Sequence, residues 1–399
     1  MLKGKKIVLG ITGGIAAYKA AELTRECVKR EASVRVIMTK NAAEFITPLT
    51  LQTLSGHPVF MDMFVPMRDF EMAHISLAEF ADVVVIAPAT AHVIGKIASG
   101  LADDLLTTTV MATKAPVLIC PAMNTNMYEN IIVKENINKL FARGYLFMEP
   151  AYGELACRAE GYGRLQEIPD IMEEVESILT DKDLKGENIL VTAGPTREPF
   201  DPVRFITNYS SGKMGYALAI AGKRRGANVT LISGPSSLPV PRGVKHISVS
   251  TAVEMRDAVM ENMETASVII KAAAVADYRP QVRMNTKIKK REGALTVRLE
   301  RNPDIISEVG KKKGDRILVG FAVETENLLE NARTKLREKN MDIIVANDVT
   351  QEGAGFGYDT NIVKIIGTDG NIDDVPLMDK MEAADWILNR IKNIIEQRS

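Results

Sequence analysis

The segment KIVLGITGGIAAYKAAELTRECV, residues 6 to 28, contains the pattern that decides the fold. An apolar run, KIVLGIT, ends at two glycines, and apolar residues then recur at helical spacing between Ala16 and Glu31. The runs VRVIM, DVVVIAP and APVLICP follow, and each ends in a turn. Apolar strands separated by helices are buried on both faces, so this alternation predicts a parallel, doubly wound α/β sheet.

The same alternation begins again in the second half of the chain. Near Thr180 the sequence TDKDLKGEN is polar and charged, and it precedes the apolar run ILVTAGPT. The runs NVTLIS, SVIIKAAAV, RILVGF and DIIVAND follow, and the chain closes with an amphipathic helix around Trp386. We therefore expect two α/β domains, residues 1–180 and 189–399, joined by a linker at residues 181–188.

Composition excludes several classes of protein. The chain has 399 residues, of which 46% are hydrophobic, enough apolar material for two cores. Its 50 Lys and Arg residues balance 51 Asp and Glu residues, which argues against a general affinity for nucleic acid or anionic membranes. The cysteines, Cys27, Cys120 and Cys157, are too scattered for a disulfide framework. Because no signal peptide or membrane span is evident, we expect a cytoplasmic enzyme.

Ligands of parallel sheets bind at the carboxyl ends of the strands, so the residues after each apolar run are candidates. In the first half, backbone N–H groups before a helix favour a phosphate, although a Gly-Gly turn is also an ordinary tight connection. The dinucleotide fingerprint GxGxxG is absent, which favours a mononucleotide such as FMN over a nicotinamide cofactor. The candidate FMN contacts are Thr12, Gly13, Gly14, Thr39, Pro88, Ala89 and Thr90.

Three further residues of the first half could take part in chemistry. His74 begins the run HISL at a predicted helix start, where it could be a base, a cap or a packed ring. Asn124 follows a strand in PAMN, where its amide could bind a carboxylate or a flavin carbonyl, or form an Asx turn. Cys157 lies in GELACRAEGYGR, whose glycines suggest either a surface loop or a mobile lid that carries a thiol to the substrate.

The motifs of both halves carry a resemblance that spans nearly the whole chain. GGIAAYK, AHISL, PATA with GLADDLL, PAMN and LAC…GYGR resemble the flavin-dependent cysteine decarboxylases, specifically phosphopantothenoylcysteine decarboxylase of coenzyme A biosynthesis. VTAGPTREPFDPVRFITNYSSGKMG, AAVADYRP, KIKK, NPDI and GFAVET resemble phosphopantothenate–cysteine ligase. Their order resembles bifunctional proteins that carry both activities. This resemblance implies a flavodoxin-like or Rossmann-like first domain and a Rossmann-like second domain.

The decarboxylase resemblance implies a chemistry and a set of roles. Oxidation of the substrate's thiol carbon by FMN creates an electron sink into which the adjacent carboxylate can leave, and the resulting ene-thiolate must then be reduced and protonated. The resemblance implies that His74 is essential for the early oxidative decarboxylation and that Asn124 binds the substrate carboxylate. It also implies that Cys157 donates the final proton. Arg158 stands where the family's flap usually has glycine. The family places its flavin between subunits of a trimer, so we expect a homo-oligomer.

The ligase resemblance implies activation of a carboxylate as an acyl-nucleotidylate, with release of pyrophosphate and with Mg²⁺ (or Mn²⁺) on the nucleotide. The basic run TKIKKREG would usually be a solvated surface, but Lys287 best matches the family's phosphate-binding lysine. Lys335 and Lys339 are four residues apart and share one helix face. The matched nucleotide contacts are Ala272, Ala273, Asp277, Lys287, Asn302, Pro303, Asp304, Ile305, Phe321, Lys335 and Lys339.

The motif FITNYSSGKMG is the expected binding site for the substrate of the ligase. Ser210, Ser211 and Gly212 precede a helix and could bind the substrate phosphate, or they could simply cap the helix. Asn208 matches the family asparagine that contacts the acyl intermediate. Microbial members use CTP, which we expect here; the sequence leaves ATP open and does not identify the metal ligands.

Two other classes of protein fit the sequence less well. A nicotinamide oxidoreductase should carry GxGxxG and an acidic residue about 20 positions later, and neither half does. A noncatalytic flavoprotein could keep the FMN pocket, yet His74, Asn124 and Cys157 are all present. The absorption spectrum of the purified protein distinguishes a flavoprotein from a colourless nicotinamide enzyme.

Overall fold

A computed structural model describes residues 2–64, 72–156, 160–289, 295–324, 328–348, 355 and 357–398. The chain divides into two compact units, Met1–Thr180 and Asp181–Ser399. Within the described residues, no helix combines the length and the apolar character needed to cross a bilayer.

The first unit alternates strands with helices. Its strands are β1 (Lys6–Ile11), β2 (Ser33–Met38), β3 (Val59–Phe60), β4 (Val83–Ala89), β5 (Val117–Pro121), β6 (Leu146–Phe147), β7 (Ala151–Glu154) and β8 (Glu160–Arg164). Its helices are α1 (Lys19–Lys29), α2 (Pro48–Ser55), α3 (Ala73–Phe80), α4 (Ala91–Ala98), α5 (Leu105–Ala112), α6 (Thr125–Glu129), α7 (Ile131–Phe141) and α8 (Ile168–Leu179). Short 3-10 helices cover Ile15–Tyr18 and Lys40–Glu44.

The central sheet of the first unit has the strand order β3-β2-β1-β4-β5-β6, and all its strand pairs are parallel. The order reverses between β1 and β4, which makes their carboxyl ends the topological switch point where such sheets bind ligands. Apolar clusters cover both faces of the sheet, one containing Leu9 and the other Val8. This arrangement confirms the predicted doubly wound fold, while β7 and β8 form a separate antiparallel hairpin.

Helix α1 shows how the first core forms. Ala20, Leu23 and Cys27 are buried on one side of the helix, and burial of a leucine side chain contributes about 1.5–3 kcal/mol. Val28, one of the apolar residues that recur at helical spacing in this segment, is 37% exposed, because Cys27 occupies the inward face of that turn. Cys27 and Cys120 are both buried and belong to the same apolar cluster.

The second unit repeats the architecture with a larger sheet. Its strands are β9 (Asn188–Ala193), β10 (Arg197–Pro199), β11 (Phe205–Thr207), β12 (Asn228–Ser233), β13 (Lys245–Ser248), β14 (Val268–Lys271), β15 (Tyr278–Pro280), β16 (Leu299–Arg301), β17 (Ile317–Glu324), β18 (Ile343–Asp348), β19 (Thr360–Gly367) and β20 (Ile372–Asp379). Its helices are α9 (Lys213–Arg224), α10 (Ala252–Asn262), α11 (Ile305–Lys312), α12 (Leu328–Glu338) and α13 (Lys380–Arg398), and a 3-10 helix covers Met263–Thr265.

The large sheet has the order β13-β12-β9-β14-β17-β18-β19-β20. The strands are parallel from β13 to β18, and β19 and β20 add an antiparallel hairpin at one edge. The order reverses between β9 and β14, so a second switch point lies at the carboxyl ends of these two strands. The predicted helix around Trp386 is α13, whose buried residues include Ile387 and Ile391.

The polar segment between the two halves packs onto the second unit. Leu184 is 1% exposed and belongs to the same apolar cluster as Ile189. Asp183 forms an ion pair with Arg225 at 2.7 Å, and Arg225 is itself buried. Residues 181–188 therefore contribute contacts to the core of the second unit, although the sequence there is mostly polar.

Candidate active sites

The ends of β1 and β4 are joined by one buried threonine. The Thr12 hydroxyl donates to the Pro88 carbonyl oxygen at 2.8 Å and accepts from the Thr90 N–H at 3.0 Å. The Thr12 N–H also donates to the Pro88 oxygen, at 3.3 Å. Thr12 therefore holds the two loops of the switch point together, and its hydroxyl, a candidate FMN contact, already has partners within the chain.

The two glycines after β1 allow close approach of the next loops. A Cβ atom on Gly13 would lie 2.4 Å from the Asn41 Cβ, a distance that real side chains do not tolerate. Gly14 is the N-cap of the Ile15–Tyr18 helix, and its added Cβ would lie 3.6 Å from the Thr90 Cγ2. Gly13 thus allows the Asn41 loop to pack against this turn, and the turn itself carries no side chain at either glycine, as a phosphate-binding turn requires.

A cavity of about 880 Å³ opens beside this turn. Gly13, Thr39 and Thr90 line it. The two threonine hydroxyls accept hydrogen bonds from the Ala42 and Val93 N–H groups, so their own protons can be donated to a ligand. The volume is that of a cofactor pocket. The other four expected FMN contacts, Thr12, Gly14, Pro88 and Ala89, do not line it.

Lys96 of α4 and the two aspartates of the GLADDLL motif also line this cavity, which sequence reasoning did not assign. Lys96 contacts Asp103 at 2.6 Å and Asp104 at 2.8 Å. Burial disfavours the ammonium, but the two carboxylates outweigh it and raise the pKa of Lys96. The signal available in the sequence was a lysine near the end of a helix, Lys96, followed shortly after by the acidic pair Asp103 and Asp104.

His74 and Asn124 are outside the lining of this cavity. His74 is the second residue of α3, and its Nδ1 is buried without a hydrogen-bond partner in the part of the chain that the structure describes. A buried ring nitrogen without a partner needs an explanation, and a ligand that binds there is one such explanation. Asn124 caps α6, and its Oδ1 accepts from the Asn126 N–H at 2.9 Å, which is the Asx turn considered as its alternative role.

The β7–β8 hairpin is attached to the Asn124 turn by glycines. The Met123 N–H donates to the Gly163 carbonyl oxygen at 2.9 Å, and a Cβ on Gly163 would lie 2.2 Å from the Met123 oxygen. A Cβ on Gly161 would lie 2.6 Å from the Thr125 Oγ1. These two glycines, which suggested mobility, serve close packing instead, because any side chain there would separate the hairpin from the turn.

Cys157 and Arg158 follow β7 in the sequence and precede β8, and both lie outside the described residues. What the structure describes is the base of the hairpin, where Tyr152 and Tyr162 make an edge-to-face contact at 5.3 Å. The hairpin base and the Asn124 turn are therefore held in a defined relation.

A second cavity, of about 460 Å³, lies at the ends of β14 and β17. It brings together most of the nucleotide contacts expected in the second half. The expected contacts that line it are Ala273, Asp277, Asn302, Pro303, Asp304, Ile305, Phe321 and Lys339. Asn302 fixes this arrangement, because its N–H donates to the Asp277 carbonyl at 2.8 Å and its side-chain amide donates to the Ala276 carbonyl at 2.8 Å.

Asp304 organises one wall of this cavity. Its carboxylate caps α11 by accepting from the Ser307 N–H at 3.1 Å, and it pairs with Lys339 at 3.1 Å. Burial works against the charge, but these partners outweigh it and lower the pKa of Asp304. Lys339 follows the last residue of α12, and its N–H still bonds to the Lys335 carbonyl, so the helical turn continues to it.

Ala272, Lys335 and Lys287 are expected contacts that do not line the cavity. The exposed Lys287 precedes Ile288, whose backbone is held at both ends. The Ile288 N–H donates to the Asp201 carboxylate at 3.2 Å, and the Ile288 carbonyl accepts from Arg204 at 3.2 Å. Asp201 is 1% exposed and pairs with Arg204 at 2.6 Å; this hydrogen-bonded pair holds the pKa of Asp201 well below its usual range.

The candidate substrate residues meet the second switch point. The Asn208 amide donates to the Ala274 carbonyl at 2.9 Å. Gly212, with φ of 84°, caps α9, and its added Cβ would lie 3.3 Å from the Gly194 Cα. Because Gly212 has no side chain to accept the first N–H groups of α9, the helix start keeps donors for a ligand, with Ser210 and Ser211 immediately before it.

Comparisons with known proteins agree with the motifs. The family model described as Flavoprotein matches residues 1–180, and the model described as DNA/pantothenate metabolism flavoprotein C-terminal domain matches residues 184–395. The Bacillus subtilis coenzyme A biosynthesis bifunctional protein CoaBC is 48% identical over 401 residues, covering 100% of this chain and 99% of the relative. The Escherichia coli protein of the same name is 48% identical over 375 residues, covering 93% and 92%.

A solved structure of the C-terminal domain of a CoaBC protein is 43% identical, with a TM-score of 0.48, and covers 54% of this chain and 100% of that chain. The full-length matches and the two domain models confirm the resemblance carried by the motifs. The chain belongs to the family of bifunctional coenzyme A biosynthesis proteins, with a flavoprotein domain followed by a DNA/pantothenate metabolism flavoprotein C-terminal domain.

Proposed function

We propose that this chain carries out two consecutive reactions of coenzyme A biosynthesis. Residues 189–399 ligate 4′-phosphopantothenate to cysteine with CTP, and residues 1–180 decarboxylate the product, phosphopantothenoylcysteine, to 4′-phosphopantetheine. The observation that carries the proposal is that eight expected nucleotide contacts line one cavity in the second unit. Gly13, Thr39 and Thr90, expected to contact FMN, line another in the first unit.

The residues of the first cavity fit FMN. Gly13 and Gly14 offer a bare turn for its phosphate, and Thr39 and Thr90 offer hydroxyl donors. When bound, FMN supplies a two-electron acceptor and donor that allows the carboxylate beside an oxidised thiol carbon to leave. Asn124 would hold the substrate carboxylate, and His74 would act as the base of the early step, for which its Nδ1 has no competing partner among the described residues.

Cys157 would return the final proton to the substrate. A thiol is acidic enough to act as a proton donor, because its ordinary pKa is about 8.5. The attachment of the hairpin base to the Asn124 turn supports this role, since Met123 and Gly163 are hydrogen bonded at 2.9 Å. Closure of the segment that carries the thiol would also exclude water from the substrate.

The ligase reaction needs a cation beside the α-phosphate. The substrate carboxylate oxygen attacks the α-phosphorus and pyrophosphate leaves; the cysteine amine then attacks the acyl carbon, loses a proton and releases CMP. Lys287 would stabilise the charge that develops on the phosphate, with Asn208 beside the acyl group. Mg²⁺ (or Mn²⁺) would bind mainly through the nucleotide phosphates, and the described residues contain no group of three His, Cys, Asp or Glu able to hold a metal.

A second copy of the chain would complete the FMN site, in a homo-oligomer built on trimers. Large apolar side chains beside the Gly13–Gly14 turn are open to solvent in the single chain, including Ile15 at 59% and Tyr18 at 58% exposure. Met127, which lines the cavity, is 47% exposed. Apolar patches of this kind are typical of subunit interfaces.

The test is a coupled assay on the purified full-length chain. A flavin absorption spectrum and conversion of 4′-phosphopantothenate, cysteine and CTP into 4′-phosphopantetheine, followed by mass, are the expected results. Parallel reactions with ATP decide the nucleotide. A colourless protein, or one that makes no phosphopantothenoylcysteine with either nucleotide, would refute the proposal.

A further inference from the structure

Lys271 is a buried lysine in the second cavity to which neither the motifs nor the comparisons give a role. It ends β14, only 8% of it is exposed, and it lines the cavity of about 460 Å³. Among the described residues its ammonium has no hydrogen-bond or ion-pair partner. Burying an unpaired charge is costly, so a lysine kept there in an otherwise apolar strand indicates a ligand that meets it.

The charges around Lys271 indicate an anionic ligand. The cavity lining contains three basic side chains, Lys271, Arg301 and Lys339, against two carboxylates, Asp277 and Asp304. The Asp304 carboxylate is already paired with Lys339 and caps α11. The cavity therefore keeps an excess of positive charge.

We propose that Lys271 binds the nucleotide of the ligase reaction, its ammonium donating to a phosphate oxygen of the bound triphosphate. This inference rests on the proposed function, because it assigns a further contact within the same cavity. A phosphate suits the site better than a base carbonyl, since an anionic phosphate oxygen offsets the excess positive charge that a neutral base would leave.

The environment of Lys271 makes this contact dependent on pH. Burial lowers the pKa of Lys271 to about 8; Asp304 acts in the opposite direction and Lys339 adds to the lowering. Its register neighbours on the adjoining strands, Gly320 and Thr192, carry no charge. The other charged or titratable groups of the lining are Asp277, Tyr278 and Arg301. A bound phosphate would restore the ammonium, so nucleotide binding should take up a proton above neutral pH.

The experiment is titration calorimetry of the full-length protein with CTP and Mg²⁺, without the other substrates, in two buffers of different protonation enthalpy. At about pH 8.5 the parent should take up about three quarters of a proton on binding. The nucleotide phosphates are fully ionised at that pH and contribute none. Lys271→Met should remove the uptake and weaken CTP binding at about pH 7 by about tenfold.

Two further variants separate this contact from a structural effect. Lys271→Arg keeps a permanent charge, so it should bind CTP at about pH 7 more tightly than Lys271→Met and without proton uptake. Lys312→Met removes an exposed lysine of α11 and should behave as the parent. Thermal unfolding and the flavin spectrum check that each variant is folded.

The outcomes are distinct. Unchanged CTP affinity or unchanged proton uptake in folded Lys271→Met would overturn the assignment of Lys271. An equal loss of affinity for cytidine and for CTP would place the contact at the base and overturn the phosphate assignment. A parent protein that binds neither CTP nor ATP would refute the proposed function instead.

Discussion

The Asp201 carboxylate accepts a hydrogen bond from the Ile288 N–H at 3.2 Å, immediately after Lys287 in the chain. Arg204 completes the contact by donating to the Ile288 carbonyl while pairing with Asp201. The backbone N–H and carbonyl of Ile288 are thus both hydrogen bonded to the Asp201–Arg204 ion pair. The position of Lys287, which we propose acts on the nucleotide, therefore depends on a carboxylate 87 residues away from Ile288.

Asp201→Asn should slow the ligase and leave the decarboxylase unchanged. The amide keeps the size of the side chain but loses the charge that holds Arg204, so the Lys287 segment loses its fixed position; misplacement of a catalytic group costs about 10- to 100-fold in rate. Formation of phosphopantothenoylcysteine and CO₂ release from added phosphopantothenoylcysteine should be measured on one preparation.

Lys287→Gln should slow the same step as Asp201→Asn, namely formation of the acyl-nucleotidylate. The control for Asp201→Asn is Asp257→Asn, which also removes the charge of an ion-paired aspartate. Asp257 pairs with Arg256 at 2.9 Å on an exposed surface of α10. Equal ligase rates for Asp201→Asn and Asp257→Asn would show that the Asp201 contact has no part in positioning Lys287.

Sequence patterns predicted the alternating strands and helices, and ligand sites at the strand ends, because these depend on local spacing. The strand order, and with it the position of the two switch points, was not predicted. The run KIVLGIT followed by helical spacing is recognisable without its neighbours, and Gly13 and Thr90 follow directly from the strand ends. Asp201 and Lys271 were not singled out from the sequence. Asp201 acts through Ile288, which is remote in sequence, and the role of Lys271 depends on Asp304 and Lys339 converging on the same cavity.

Gly163→Ala should impair decarboxylation and destabilise the first domain. The added methyl group would lie 2.2 Å from the Met123 oxygen, and the residue has φ of 157°, so the hairpin must move away from the Asn124 turn. Overpacking of this kind costs about 1–3 kcal/mol. Thermal unfolding followed by flavin absorbance and CO₂ release measure the two effects.

Gly95→Ala is the matched control for Gly163→Ala. Gly95 lies within α4, where a methyl group would have its nearest contact at 3.7 Å, and alanine favours the helix. A Gly163→Ala protein as stable and active as Gly95→Ala would argue against close packing of the hairpin on the turn.

Cys157→Ser and His74→Asn should stop the decarboxylase at different stages. A serine hydroxyl is a far weaker acid than a thiol of ordinary pKa about 8.5, so Cys157→Ser should release CO₂ and accumulate the unprotonated ene-thiol product. His74→Asn should release no CO₂, because the early step lacks its base. Anaerobic mixing with phosphopantothenoylcysteine, followed by CO₂ and mass measurements, distinguishes them. Normal turnover by Cys157→Ser would show that the segment GELACRAEGYGR is an ordinary loop without a catalytic role.

Expression of the ligase domain alone should depend on where the fragment begins. A fragment of residues 181–399 retains Leu184 in its core and the Asp183–Arg225 pair at 2.7 Å, whereas one of residues 189–399 loses both. Removing a core leucine costs about 2–5 kcal/mol, and leaving the buried Arg225 without its carboxylate adds a further penalty of about 3 kcal/mol. We expect the longer fragment to fold and ligate, and the shorter one to unfold at lower temperature.

Leu184→Ala within the longer fragment isolates the apolar part of this effect, and Lys185→Ala, at an exposed neighbouring position, is its control. Urea unfolding of the four proteins gives the differences in free energy, and phosphopantothenoylcysteine formation reports whether the site survives. Because Leu184 packs with Ile189 and Arg225 is held from the same segment, Leu184→Ala should fall between the two fragments in stability. Equal stability of the two fragments would mean that residues 181–188 act only as a connection.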